Sequence, residues 1–140
     1  MTVKKLKSAG LKITNQRVTV LNYLFSANVR HLSVDEIFKD LQLNGKYVGL
    51  ATVYRVLNQL EEAKILERHH FASGKAFYEL SSKTHHDHLI CLRCGKITEF
   101  LDPFIEQRQQ QIAEQHGLTL SHHSLYLFGY CIDPCCHKEL

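Results

Sequence analysis

One stretch of ten residues, 85–94, constrains the chain more than any other. It reads HHDHLICLRC and supplies three imidazoles, one carboxylate and two thiols. Its Cys-x-x-Cys pair, Cys91 and Cys94, is one half of a tetrahedral thiolate zinc site and requires a second pair of ligands. The histidines and the aspartate have different chemistry, because imidazole and carboxylate ligands suit divalent metals such as iron, zinc, manganese or nickel. The second thiolate pair can come from the C-terminal cysteines, which are Cys131, Cys135 and Cys136.

The composition is that of an ordinary globular protein, with one domain or two small ones in 140 residues. The sequence contains no apolar run near the roughly 18 residues of a transmembrane helix, and no apolar signal-peptide core follows the Lys-rich start. We therefore expect a cytoplasmic protein with no membrane partner. In that reducing compartment the five cysteines are expected to be metal ligands rather than disulfides.

Charge is distributed unevenly along the chain. Residues 1–82 hold 12 Lys and Arg against 7 Asp and Glu, whereas residues 83–140 hold 5 against 7 and seven of the ten histidines. A basic first half and a mildly acidic, His-rich second half predict two domains, of which the first faces a polyanion. A surplus of five positive charges is also ordinary for a protein surface, so the motifs must distinguish a polyanion-binding domain from an ordinary surface.

The first half predicts three main helices followed by a β-hairpin, which is a winged helix-turn-helix. Thr14 is a suitable N-cap for the first of them, and the Ser33–Glu36 segment has the capping-box pattern that begins the second. The hairpin strands are joined by a Gly-bearing loop, ASGK. The expected elements are a short helix over 3–9, helices over 14–25, from 33 onward and over 51–63, and strands over 65–71 and 76–80.

The helix over 51–63 has the composition of a recognition helix. Its apolar residues, Val53, Val56, Leu57 and Leu60, recur at helical spacing and predict one buried face. Arginine can pair with guanine and asparagine or glutamine with adenine, so the opposite face suits the major groove, although an ordinary solvated helix shows a similar face. The residues on that opposite face are Thr52, Tyr54, Arg55, Asn58 and Gln59.

The second half predicts a small α/β domain over 85–140, after a hinge at about 81–84. Pro103 is placed to open a helix over 104–116 that Gly117 ends. The strands are expected over 88–92 and 97–100, and a β-rich run covers 118–130. A module of this size has little core, so we expect zinc and dimerisation to stabilise it. The whole chain is therefore expected to be α+β.

Three blocks together resemble the ferric uptake regulator (Fur) family, over essentially the full length. They are GLATVYRVLNQLEEAKI (49–65), HHDHLICLRCG (85–95) and HHSLYLFGYC (122–131). The resemblance implies a bacterial, homodimeric, metal-dependent repressor with a winged-helix domain over 1–82 and a dimerisation domain over 85–140. It implies Fe²⁺ as corepressor, replaceable by Mn²⁺, Zn²⁺ or Co²⁺, with a structural Zn²⁺. The expected partners are double-stranded DNA with a palindromic operator near iron-acquisition genes, and further copies of the chain as a dimer or a higher oligomer.

The resemblance also assigns residues to sites. Structural zinc falls on Cys91, Cys94, Cys131 and a fourth cysteine, for which Cys136 is preferred and Cys135 is the alternative. The regulatory metal falls on His31, Glu79, His86 and His88. An additional metal falls on His85, Asp87, Glu106 and His123. For DNA binding, Lys12, Tyr54 and Arg55 match the family, and Thr52 and Asn58 share their helix face.

Other functions remain as alternatives at this point. Inside the family these are a peroxide sensor and a manganese or zinc sensor, although the expected regulatory set contains no cysteine of the kind zinc sensors commonly use. A zinc hydrolase or deaminase is a remote alternative. Deaminases need His-x-Glu and Pro-Cys-x-x-Cys, which residues 134–136 do not provide, and four thiolates leave no position open for water.

Overall fold

A computed structural model describes residues 1–71, 74–82 and 84–133 of the chain. The chain divides into two compact units, Met1–Ser82 and Lys83–Leu140. Each unit has a three-stranded sheet of its own together with helices, so the prediction of an α+β fold is confirmed. None of the helices in the described ranges is both long and apolar enough to span a bilayer.

The first unit contains four helices and three strands, as predicted for a winged helix apart from one additional strand. The expected caps are present: the Thr14 side chain accepts the Arg17 N–H at 3.3 Å, and Ser33 and Glu36 form a reciprocal capping box. The elements are α1 (Thr2–Ser8), α2 (Asn15–Ser26), β1 (Leu32–Ser33), α3 (Val34–Leu43), α4 (Leu50–Glu62), β2 (Leu66–His70) and β3 (Ala76–Leu80).

The sheet of the first unit has the order β1-β3-β2, with all pairs antiparallel. The two-residue strand β1 was not predicted, because its length is below what a period of two can reveal. It pairs Leu32 with Tyr78 and so brings the chain before it alongside β3. The apolar face of α4 is buried as predicted, which leaves its other face available to a partner.

The second unit contains β4 (Asp87–Cys91), β5 (Ile97–Phe100), α5 (Pro103–Gln115) and β6 (Tyr126–Gly129). Its sheet has the order β5-β4-β6, in which β5 is antiparallel and β6 parallel to β4. A parallel pair requires a long crossover, and α5 lies within it. Only Ala113 of α5 is buried, so this helix contributes little to the core of the second unit.

The prediction of a β-rich run over 118–130 was wrong for its first part. Only Tyr126–Gly129 forms a strand, and no strand is assigned over 118–125. Leu118 and Leu120 remain 63% and 38% exposed. The segment has β-favouring residues but forms no strand of its own; it serves as the return connection from α5 to the parallel strand β6 and meets β4 at Leu125, whose carbonyl accepts the His88 N–H at 3.1 Å.

Candidate metal centres and nucleic-acid surface

Three thiols meet at the end of β4. Cys91 is the last residue of β4, and Gly95, at φ +74°, closes the following turn by donating its N–H to the Cys91 carbonyl at 2.9 Å. Because β6 runs parallel to β4 with Gly129 opposite Cys91, the chain delivers Cys131 just beyond the same end. The Cys94 and Cys131 sulfurs are 3.8 Å apart, and the Cys131 N–H donates to the Cys91 sulfur at 3.4 Å. Three ligands of a thiolate site are therefore close together.

The electrostatics of this turn favour the thiolate form of Cys91. Backbone N–H groups, first that of Cys94 and then those of Cys131 and Arg93, lower the pKa of the Cys91 thiol to about 5, although burial acts in the opposite direction. A thiolate is the form that binds zinc. These three thiols therefore suit a soft divalent ion such as zinc. The fourth-ligand candidates, Cys135 and Cys136, lie outside the described residues.

A second donor set surrounds Asp87, whose side chain is fully buried. Its Oδ1 lies 3.0 Å from His85 Nε2 and 3.3 Å from His123 Nε2. Glu106 Oε1 lies 3.2 Å from His123 Nε2 and 3.4 Å from His85 Nε2. Asp87 Oδ2, Glu106 Oε1 and His123 Nε2 are buried and make no hydrogen bond within the described part of the chain. Buried charges require compensation, so these four residues suit a divalent cation.

The residues between these ligands belong to a different donor set, because side chains alternate along an extended chain. The rings of His86 and His88 lie 4.8 Å apart, and His86 Nε2 lies 3.6 Å from Glu99 Oε1. Glu99 was not predicted. The strand register places it directly opposite His88, so the pairing of β4 with β5 was the signal that could have identified it.

In the first unit, two histidines contact the carboxylate of Glu79, which is 1% exposed. His31, just before β1, places Nε2 3.0 Å from Glu79 Oε2. His69 on β2 places Nε2 2.6 Å from Glu79 Oε1. His31 and Glu79 were predicted site residues, whereas His69 was not. Its contact follows from β2 pairing with β3, which the sequence alone did not align residue by residue.

The predicted DNA-binding residues of α4 lie largely at the surface. Tyr54 is 46% exposed, Arg55 is also exposed, and Thr52 is half-buried. Asn58 is exposed but accepts a hydrogen bond from the hydroxyl of Tyr78 at 3.4 Å, so part of its hydrogen-bonding capacity is used inside the unit. Burial raises the pKa of Tyr78, which keeps that hydroxyl a donor.

Lys12, which the resemblance assigns to DNA binding, is exposed in the connector before α2. Arg17, which was not predicted, connects it to α4. The Arg17 guanidinium donates from Nη1 to the Lys12 carbonyl at 2.8 Å and from Nε to Gln59 Oε1 at 3.1 Å. One side chain therefore fixes the spacing between the Lys12 connector and the exposed face of α4.

Comparisons with known proteins agree with this geometry. Residues 8–128 match the model of the ferric uptake regulator family. The chain is 53% identical over 134 residues to the ferric uptake regulation protein of Vibrio anguillarum, covering 96% of the chain and 90% of that relative. It is similar to the crystal structure of the Vibrio cholerae ferric uptake regulator, with a TM-score of 0.85 and 51% identity over 91% of this chain and 98% of that one. It is also similar to the Francisella tularensis regulator with iron, with a TM-score of 0.84 and 40% identity over 92% and 96% of the two chains.

Proposed function

The chain belongs to the ferric uptake regulator family, and from that premise we propose that it represses iron-acquisition genes in response to ferrous iron. Members of this family are metal-responsive transcriptional regulators that bind DNA as dimers, and they are not enzymes. The Francisella tularensis relative was solved with iron. Imidazole and carboxylate donors, which this chain supplies without a thiol in two sets, suit Fe²⁺ and its substitutes Mn²⁺, Co²⁺ and Zn²⁺.

We assign DNA binding to residues 1–82 and dimerisation to residues 85–140, with the hinge at about 81–84. The exposed face of α4 and its Arg55 support the first assignment. Leu89 and Leu127, which face each other across β4 and β6 and are each more than 40% exposed, support the second, because a second copy would cover them. A two-fold dimer offers two identical recognition helices, which matches the two half-sites of a palindromic operator. We place this activity in the cytoplasm.

The structural zinc site is proposed on Cys91, Cys94, Cys131 and Cys136, with Cys135 as the alternative fourth ligand. The convergence of three thiols and the low pKa of Cys91 support it. Bound there, zinc would be held by thiolates and would contribute folding free energy directly, which the second unit needs because its core is small. The chain's own contribution is the Cys-x-x-Cys turn and the parallel strand that delivers Cys131.

The regulatory site is proposed on His31 and Glu79 from the first unit and His86 and His88 from the second, with Glu99 as a further donor. Within each unit the donors are already close: 3.0 Å between His31 Nε2 and Glu79 Oε2, and 4.8 Å between the rings of His86 and His88. Fe²⁺ would supply a coordination sphere common to both units. Because the metal-binding residues come from both units, metal binding would favour one arrangement of the DNA-binding domains. An allosteric effector acts in this way, through its higher affinity for one conformation.

The additional site is proposed on His85, Asp87, Glu106 and His123. All four residues lie in the second unit, so this site has no ligand from the DNA-binding domain. Its buried oxygens without hydrogen-bond partners support ion binding. We therefore expect it to stabilise the second unit, and to affect operator binding less than the regulatory site does.

The observation that carries the proposal is the alternation of donors over residues 85–88, which separates the regulatory set from the additional set. Its test is a pair of double variants, His86→Ala with His88→Ala and His85→Ala with Asp87→Ala. The first pair should abolish metal-stimulated operator binding but leave a zinc-loaded dimer, and the second should impair it less. Calorimetry with Mn²⁺ and an operator titration measure both effects. Equal losses, or a greater loss in the second pair, would overturn the division.

The identity of the regulatory metal requires a separate measurement. The affinity order of divalent metals follows the metal series, so cells select by availability rather than by ligand type alone. Metal analysis after anaerobic purification, with operator binding titrated in Fe²⁺, Mn²⁺, Co²⁺ and Zn²⁺, should show iron in the protein and activation by Fe²⁺ at cellular concentrations. Activation by Mn²⁺ or Zn²⁺ alone would identify a manganese or zinc sensor. Loss of repression by oxidation of a ligand histidine would identify a peroxide sensor.

A further inference from the structure

The carboxylate of Glu79 is contacted by an imidazole on each of its two oxygens. Oε2 faces His31, one of the proposed regulatory ligands, at 3.0 Å. Oε1 faces His69, which belongs to no proposed site, at 2.6 Å. Glu79 lies on the central strand of the sheet, with β1 on one side and β2 on the other, so the two histidines approach it from opposite neighbours. The two oxygens are therefore not equivalent.

The proton in the contact between His69 and Glu79 can be assigned from chemistry. Metal binding requires the ionised carboxylate of Glu79, which has only acceptors, so in that state the contact requires a hydrogen on Nε2 of His69. The ring of His69 is held in place because it stacks on Phe71, with centroids 5.7 Å apart and planes 12° apart, and both residues are buried. A buried, stacked ring has few other orientations, so the donor direction is set by packing.

We propose that His69 is a positioning residue for the regulatory metal. By donating to Oε1 it fixes the rotation of the Glu79 carboxylate, and it leaves Oε2, beside His31, as the oxygen offered to the ion. The inference rests on the proposed regulatory site and names a residue that acts on it through Glu79. Residues that hydrogen-bond a metal ligand typically change metal affinity by about 10–100-fold when they are removed.

A different reading of the same residues is that His69 binds a cation itself. Glu67 faces Glu79 directly across β2 and β3, and its Oε2 lies 3.7 Å from His69 Nε2, so Glu67, His69 and Glu79 could form a donor set of their own. The observations favour positioning. The side chain of Glu67 is 48% exposed and is the more distant of the two carboxylates from that nitrogen, whereas the contact with Glu79 is buried and short.

Two matched amide substitutions test the proposal in the full-length chain. Gln at position 69 can place its Nε2–H near that of the imidazole and donate to Glu79, whereas Asn is one methylene shorter and cannot reach. Both replace an imidazole with an amide, so effects of polarity and of lost stacking are shared. His70→Asn is the control for position, because His70 is the next residue on β2 and is exposed. Glu67→Gln tests the alternative donor set.

The measurement is Mn²⁺ binding, followed by the loss of the free-ion electron paramagnetic resonance signal, with zinc content and circular dichroism as checks on the fold. The parent is expected to bind two Mn²⁺ per protomer, at the regulatory and additional sites. His69→Asn should weaken one of them by about 10–100-fold and leave the other unchanged. His69→Gln should restore most of the affinity, and His70→Asn and Glu67→Gln should match the parent.

The possible results separate the inference from the function on which it rests. If His69→Asn binds like the parent while His86→Ala with His88→Ala loses one ion, the regulatory site stands and the positioning role of His69 is wrong. If the His86/His88 double variant keeps both ions, the regulatory site itself is wrong. If His69→Gln fails to rescue and Glu67→Gln also removes an ion, His69 is a ligand and not a positioning residue.

Discussion

Replacement of Asp87 by Asn should leave the stability of the metal-free protein almost unchanged and should lower the stability of the metal-loaded protein. Asn has nearly the same shape and retains one oxygen acceptor for the imidazole of His85, whose Nε2 lies 3.0 Å from Oδ1. It removes a charge from a fully buried position where Oδ2 has no hydrogen-bond partner among the described residues. The lost hydrogen-bond strength and the relieved desolvation act in opposite directions, so the unfolding free energy of the metal-free protein should change by less than about 1 kcal/mol.

With metal present the same change should be destabilising relative to the parent. An ion that binds only the folded state adds about 2.7 kcal/mol at a concentration of 100 times its dissociation constant. Loss of a residue that only hydrogen-bonds a metal ligand weakens binding by up to about 100-fold, and we take that value for loss of the carboxylate ligand itself. At the same metal concentration, the ion then stabilises the variant by only about 0.4 kcal/mol. The difference of about 2.3 kcal/mol corresponds to a midpoint shift of roughly 10–18 °C for a unit of this size.

Thermal unfolding with and without Mn²⁺, at equal protomer concentration, measures this difference. The ion at the regulatory site stabilises parent and variant alike and cancels in the comparison. Glu114→Gln is the matched control, because it removes a carboxylate from the exposed side of α5. A metal-free variant that is destabilised by about 3 kcal/mol or more would show that Asp87 serves a buried ion pair with its histidines. Equal stabilisation of both proteins by Mn²⁺ would also refute the reasoning.

Other predictions concern zinc and DNA. Cys91→Ser should lose zinc and the dimer together, and a zinc-free yet stable dimer in sedimentation would contradict the structural role. Arg55→Ala should weaken operator binding by about 1–3 kcal/mol in mobility shifts at matched salt, with metal content unchanged; parental affinity would remove Arg55 from the interface. Arg17→Lys should also weaken binding, because an ammonium cannot donate to both Lys12 and Gln59 in the guanidinium's geometry; an unchanged affinity would show that the connector needs no such link.

Much of the first unit could be predicted from the sequence because its signals are local. The capping box at Ser33 and the period of 3.6 in α4 depend on residues within one turn or one helix, and both are present as expected. The two-residue strand β1 could not be predicted, since its existence depends on pairing with β3 and not on its own composition. The same reason explains the error over residues 118–125, because β-favouring side chains form a strand only where a partner strand pairs with them.

The donor sets show the same limit at the level of single residues. Along one extended stretch of chain, the period of two is enough to separate His85 and Asp87 from His86 and His88, and the contacts within the second unit agree with that separation. A donor on a neighbouring strand is a different problem, because a change of one residue in register moves its side chain to the other face.

Glu99 and His69 could not be predicted as members of the donor sets, because their positions depend on the register of neighbouring strands. The register that places Glu99 opposite His88 is set by the turn between β4 and β5, and the contact of His69 with Glu79 depends on the pairing of β2 with β3. Both turns can change length without altering the donors themselves. A one-residue insertion in the loop joining β2 to β3 should therefore weaken metal binding, because it changes the position of His69 relative to Glu79 although no ligand is replaced.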